Sequence, residues 1–199
     1  MEGIDQVIVV DDGSSDGTAQ AAEKYGADVL RLPKNLGKGG AMNAGAKSAS
    51  GDVFLFLDAD LGDSACEASK LIGPVLANAA DMTIARFPEI PGKGGGFGFA
   101  VGLARTGIRE LTGRKMMSPL SGQRAMRRKV WEKVGGIAPG FGAEVALTID
   151  ALRGGFRVLE VPTSMTHRIT GKDWSGIRHR GRQFADIARA LIQRRTRSK

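Results

Sequence analysis

The sequence predicts an α/β fold, a three-layer sandwich with a mostly parallel central sheet. One observation is the run Phe54-Leu55-Phe56-Leu57-Asp58-Ala59-Asp60, apolar until it ends in two carboxylates. Entered from Ser50-Gly51-Asp52 and left through Leu61-Gly62-Asp63, it reads as a central parallel strand buried on both faces. Another is Val7-Ile8-Val9-Val10, a second buried run that also ends in carboxylates and leads through a glycine-containing turn into a helix. Ligands of open α/β sheets bind outside the carboxyl ends of the strands, which is where Asp58 and Asp60 fall. Residues i and i+2 of a strand point the same way, so these two carboxylates can converge on one hard cation carrying phosphate oxygens. A pair of loop-capping aspartates is the plain alternative.

The chain of 199 residues suits one core, and at this size roughly 70 % of the unfolded surface can be buried. The single cysteine, Cys66, excludes an intramolecular disulfide and points to a reducing compartment. Neither a signal peptide nor a membrane span is visible, and the longest apolar runs are strand-length, so the expected location is cytoplasmic. The formal charge of +8 is crowded into Arg124 to Lys133 and Arg178 to Lys199. It implies an anionic partner: nucleic acid, a phosphorylated small molecule and an acidic membrane surface all fit the charge. With aromatic residues at 6 % and no recognition motif beside the basic runs, nucleic acid is not the expected partner.

In order, the Val7–Val10 strand leads to Asp11-Asp12-Gly13-Ser14-Ser15-Asp16-Gly17-Thr18, where Ser15, Asp16 or Thr18 can cap a helix through Ala19 to Tyr25. Three aspartates and three hydroxyls in eight positions exceed what one cap requires. A strand over 27–32 follows, and Pro33-Lys34-Asn35-Leu36-Gly37-Lys38-Gly39-Gly40 opens a helix in which Lys38 is well placed for a phosphate. The spacing of a Walker loop is absent. A helix is expected from about Ser64 to Leu76, a strand over 82–85, a glycine-rich mobile loop over 88–99 and an amphipathic helix over 101–111. Beyond Leu120-Ser121-Gly122-Gln123-Arg124 come a basic helix over 127–134, then Gly140-Phe141-Gly142-Ala143-Glu144 and an apolar helix over 145–152. Glu144 in a first helical turn is by itself a favourable dipole interaction. A strand over 156–161 precedes His167, which alone reads as a surface histidine. The tail from 173 is a basic amphipathic helix with Ile177, Phe184, Ile187, Leu191 and Ile192 facing inward or toward a membrane.

The blocks Val7 to Thr18, Asn35 to Gly40 and Phe56-Leu57-Asp58-Ala59-Asp60 resemble, in order and spacing, the family 2 glycosyltransferases of the A-type, Rossmann-like nucleotide-sugar fold. The stretches 120–123, 140–150 and 166–168 look like the glucosyl-3-phosphoglycerate synthases, and more loosely the similarity extends to dolichyl-phosphate mannosyltransferases. The resemblance implies a glycosyltransferase domain over 1–172 that moves a hexose from a nucleoside diphosphate sugar, of UDP-glucose or GDP-mannose type, to a phosphorylated small molecule or a polyprenyl phosphate. Asp58 and Asp60 match the family's Asp-x-Asp motif, and His167 would complete the site for Mg2+ or Mn2+. Asp11, Asp12 and Ser14 match the loop for base and ribose, and Lys38 matches a diphosphate or uracil contact. Glu144 matches a carboxylate near sugar or acceptor, either a general base or a group that positions the sugar. The basic run 124–133, with Arg168, would meet the acceptor's phosphate.

Relatives begin with a strand that lies between those ending in Asp12 and Asp58, and here only Met1 to Gln6 precede Val7. The fold is therefore expected to lack that first strand unless another segment fills the gap; a missing central strand leaves both neighbours with unpaired backbone groups, so the chain is expected to be less stable than its relatives or its sheet to close up. A catalytically inactive, truncated binding module is the alternative function. The C-terminal helix over 173–199 is compatible with peripheral membrane contact, and the chain with a homodimer.

Overall fold

The computed structural model describes residues 3–88, 98–138, 140–166 and 175–196. Strands and helices alternate: β1 (Ile8–Asp11), α1 (Thr18–Lys24), β2 (Asp28–Arg31), α2 (Gly37–Ser48), β3 (Val53–Phe56), a 3-10 segment (Gly62–Ala68), α3 (Ser69–Leu76), β4 (Met82–Arg86), α4 (Gly98–Thr112), β5 (Arg124–Arg127), α5 (Arg128–Val134), α6 (Ala143–Arg153), β6 (Val158–Pro162) and α7 (Ser175–Thr196). The helix expected from Ser64 thus begins as a 3-10 turn, in which Ser64 donates its amide and hydroxyl to the carbonyl of Leu61, three residues back.

β1 and β2 pair in parallel, and the order β3-β5-β4-β6 makes a second sheet in which only β5 runs against its neighbours. Side-chain alternation gives β3 its two covered faces. Phe54 and Phe56 point into the larger core with Met82, Ile84, Ile108, Met126 and Trp131, while Val53 and Leu55 point to a second core under α3 with Leu71, Val75 and Ala125. Helices on both faces complete the three layers.

The expectation that β3 is central needs correction: among the described residues it is an edge strand, paired only with β5. β1 and β3 belong to different sheets and are not hydrogen-bonded to each other. The sheet has not closed up. What joins the halves is α2, where Gly45 leaves room for Val10 of β1 and Met42, Ala46 and Ala49 pack into the core containing Phe54. Before the strands, Gln6 Oε1 accepts from the amide and hydroxyl of Ser50 at 3.1 and 3.2 Å.

α7 lies on α4 and α6. Ile187, Ala190 and Arg194 are buried and Leu191 is half-buried over Gly107, where any β-carbon would collide with it. Of the residues expected to face inward or toward a membrane, Ile187 and Leu191 pack inward while Phe184 and Ile192 are exposed, because the buried spacing i, i+3, i+4, i+7 runs through Ile187, Ala190, Leu191 and Arg194. The Ile177 side chain and the glycine-rich stretch 89–97 lie outside the described residues.

Candidate active site

Four elements deliver polar side chains to one place beyond the carboxyl end of β3. β3 stops at Phe56, so Asp58 and Asp60 sit in the turn that follows it rather than on the strand, and the i, i+2 argument for their convergence does not apply. Lys38, second residue of α2, places Nζ 2.8 Å from Asp58 Oδ1 and 3.5 Å from Glu144 Oε1. Gln123, just before β5, donates from Nε2 to Asp58 Oδ2 at 2.7 Å, and Ser121 Oγ donates to Gln123 Oε1 at 3.3 Å. Glu144 stands in the first turn of α6 with its side chain 16 % exposed. Gly122 makes the close approach possible: a β-carbon there would lie 2.5 Å from Lys38 Nζ and 3.2 Å from Asp58 Oδ2.

Electrostatics follow from this packing. Burial pulls the Lys38 ammonium down, but Glu144 and Asp58 outweigh it and hold its pKa above the ordinary lysine value. Beneath the site, burial brings the Arg124 guanidinium down to about 10 against the opposing pull of Glu144 and Glu160, so it stays charged at neutral pH.

A second polar group lies at the carboxyl end of β1. Asp11 accepts from the Ser14 amide at 2.8 Å, and the Ser14 hydroxyl and amide together hold its carboxyl below the usual range. Asp12 Oδ1 accepts the Leu36 amide at 2.7 Å, tying this loop to the start of α2. Gly13, at φ +83°, takes a left-handed turn in which a β-carbon would press within 3.2 Å of the Asn35 nitrogen. The stretch from Leu36 to Lys38 therefore touches both groups, Asp12 on one side and Asp58 on the other.

Of the residues singled out from sequence, the structure brings together Lys38, Asp58 and Glu144 as one cluster and Asp11, Asp12 and Ser14 as another. Asp60 is exposed in its turn, and His167 and Arg168 lie outside the described residues. The arginines of the basic run are engaged within the fold, while Lys133 at its end is exposed. Arg124 is buried, Arg128 donates to the carbonyls of Ala49 and Gly51, Arg127 donates to that of Val75, and Lys129 pairs with Asp81. Backbone carbonyls and one buried carboxylate absorb these charges. Gln123 is the functional candidate that sequence reasoning missed; its signal was its place directly after Ser121-Gly122.

Asp58 and Asp60 offer hard carboxylate oxygens, and Gly122 leaves the space beside Asp58 to the movable end of Lys38. Magnesium at nucleotide sites takes one or two carboxylates together with phosphate oxygens, and Asp58 and Asp60 are carboxylates of that kind. The residues present fit such an ion.

An α/β fold with polar loops at the carboxyl ends of its strands is of the class that binds its ligands there. Residues 2–135 match the family description "Glycosyl transferase family 2", and the chain belongs to that family. It is 29 % identical over 181 residues to glycosyltransferase AglJ of Haloferax volcanii, covering 86 % of this chain and 57 % of that one. To the glucosyl-3-phosphoglycerate synthase of Mycolicibacterium smegmatis it is 31 % identical over 166 residues, covering 74 % and 54 %. This chain thus spans little more than half the length of these relatives. The Mycobacterium tuberculosis glucosyl-3-phosphoglycerate synthase, in a crystal structure with Mn2+, uridine-diphosphate-glucose and phosphoglyceric acid, superposes with a TM-score of 0.76 at 26 % identity, over 96 % of this chain and 69 % of that one.

Proposed function

We propose that this chain is a metal-dependent glycosyltransferase domain that moves a hexose from a nucleoside diphosphate sugar to a phosphorylated small-molecule acceptor. The observation that carries the reading is the meeting of Lys38, Asp58, Gln123 and Glu144, from four separate elements, beyond the end of β3. The ligands named for the similar mycobacterial synthase support it. In the reaction an acceptor oxygen replaces the diphosphate oxygen on the anomeric carbon; the acceptor loses a proton and the nucleoside diphosphate departs.

Asp11, Asp12 and Ser14 take the base and ribose. Asp58 and Asp60, with His167, would hold Mg2+ or Mn2+, which when bound supplies Lewis-acid charge to the leaving diphosphate. The Lys38 ammonium, kept charged by Glu144 and Asp58, would donate to the diphosphate oxygens while Asp58 holds it in place. Glu144 either receives the acceptor proton or orients the sugar. Because α7 packs on α4 and α6 through Ile187 and Leu191, a soluble acceptor is favoured over a polyprenyl phosphate. The exposed Phe184 and Ile192, on a helix that also carries exposed Arg189 and Arg195, favour the lipid version, and co-sedimentation with anionic vesicles separates the two.

The test is the melting midpoint with UDP-glucose, GDP-mannose, UDP and GDP, each with and without Mn2+. A metal-dependent rise that disappears in Asp60→Ala, followed by UDP release from UDP-glucose on adding 3-phosphoglycerate, is the expected result. No rise with any of the four ligands overturns the reading in favour of an inactive module.

A further inference from the structure

Arg124 is the most deeply buried cation at the site, 1 % exposed, and among the described residues no carboxylate hydrogen-bonds it. Its guanidinium spends itself on three neutral acceptors. Nε donates to the Ser121 carbonyl at 2.8 Å and one terminal nitrogen to the Pro119 carbonyl at 3.2 Å, so the loop before β5 is folded back onto the strand that leaves it. The other terminal nitrogen donates to Thr148 Oγ1 at 2.9 Å, and that hydroxyl donates in turn to the Glu144 carbonyl at 2.8 Å. From the loop side the chain of contacts continues through Ser121 Oγ to Gln123 and from Gln123 to Asp58.

We propose that Arg124 is the positioning residue that sets the spacing between the two carboxylates of the site, holding Asp58 through Ser121 and Gln123 and Glu144 through Thr148. The inference rests on the glycosyltransferase reading above. A planar fork with fixed donor directions serves three acceptors on two elements at once, which an ammonium on a flexible stem does not. Burying it is costly unless its donors are satisfied, so the cation also rigidifies what it holds. Lys38, placed between Asp58 and Glu144, sits in the interval that Arg124 fixes.

The two arms can be cut separately at residues that touch neither nucleotide nor metal on this reading. Ser121→Ala releases Gln123, and Thr148→Val removes the acceptor on α6 while keeping its shape. The readout is the dissociation constant for UDP with saturating Mn2+, by titration calorimetry well below the melting midpoint. Each single variant is expected to weaken binding about fivefold, the effect of one neutral hydrogen bond. If Arg124 is a shared strut, freeing one end already releases the other, so Ser121→Ala/Thr148→Val weakens binding by much less than the product of the two, and Arg124→Lys alone reproduces the double variant. Thr148→Ser, which keeps the hydroxyl, restores the wild-type constant. Multiplying effects in the double variant, or an Arg124→Lys protein that melts lower yet binds UDP and Mn2+ as the wild type does, overturns the inference and leaves Arg124 a residue of the fold alone. Should Arg124→Lys not fold, the double variant and Thr148→Ser decide. A wild-type chain that UDP and Mn2+ do not bind overturns the donor-site reading itself, and the inference with it.

Discussion

Replacing Gly122 by alanine separates the site from the fold. Gly122 is not at positive φ, so alanine meets no backbone strain, and the loss of chain freedom in the unfolded state favours the folded protein by about 0.4–1 kcal/mol. The new methyl, however, would lie 2.5 Å from Lys38 Nζ and 3.2 Å from Asp58 Oδ2. Comfortable separation is roughly 3.5 Å or more, so the ammonium must retreat by about 1 Å. It is the free end of a flexible side chain, which makes the retreat cheap for stability. For function it is not, because the 2.8 Å contact with Asp58 is lost and Lys38 no longer points where the diphosphate is proposed to lie. A charge-assisted hydrogen bond contributes about 1.5–3 kcal/mol, so UDP affinity in Mn2+ should fall by about tenfold or more. Melting scans and titration calorimetry on Gly122→Ala are therefore expected to move in opposite senses, with an unchanged or raised midpoint and weakened UDP binding. An unchanged UDP constant would show that Lys38 is not held against Asp58 for the donor, and a midpoint lowered by several degrees would refute the claim that only a side-chain end is displaced.

Three further outcomes are expected. Asp81, nearly buried, has its carboxyl held well below the usual range by Arg157, then by Lys129, against the cost of burial. A depressed folded-state pKa contributes stability that is present above the unfolded value of about 4 and lost as pH falls below it, so acid melts of the wild type should drop faster below pH 4 than those of Asp81→Asn. Arg194 Nε donates to Asp150 Oδ1 at 2.9 Å and its terminal nitrogen to Oδ2, fastening α7 to α6 with the Arg194 side chain 7 % exposed. Asp150→Ala should cost about 2 kcal/mol, less than the 3–5 of a wholly buried pair because Asp150 keeps 25 % of its side chain exposed, and proteolysis within α7 should quicken. Finally, a two-stranded sheet is marginal on its own, so hydrogen exchange should be faster in β1 and β2 than in β4, whose buried residues pair on both sides; equal protection would refute the division into two sheets.

Much of this molecule was legible because apolar runs bounded by glycines and aspartates mark strands and their carboxyl ends. β3, β4 and the strand-to-helix turn after β1 announce themselves in that way. β5 does not, because Arg124-Ala125-Met126-Arg127 carries a charge at each end, and only tertiary packing turns the first of these into a buried guanidinium. The basic run misled for the same reason: charge counts on a sequence do not reveal which cations are consumed by carbonyls, as Arg127 and Arg128 are. Lys38, Asp58 and Glu144 were each visible as candidates through their places at helix starts and a strand end, yet their meeting is a long-range fact. Gln123 carries no charge, and its place after Ser121-Gly122 marked the stretch but not the side chain's role as a donor to Asp58. Edge or centre was likewise unreadable for β3, since alternation reports which faces are covered and says nothing of the hydrogen-bonding edges.

The separation of β1 from β3 gives the start of α2 a mechanical role as well as a chemical one. Asp12 grips the Leu36 amide, and two residues further on Lys38 grips Asp58, so one helical turn carries the two polar groups across a line where no strand pairing joins the sheets. The body of α2 crosses the same line with small residues, Gly45 against Val10 and Ala46 in the core with Phe54. A ligand whose base rests on Asp11 and Asp12 and whose diphosphate reaches Lys38 and Asp58 would lie along that line on the open side. Part of its binding free energy would then go into fixing β1 and β2 against the four-stranded sheet. On that reasoning the donor should protect the amides of β1 more than those of β4, although β4 is the better buried strand before the ligand arrives.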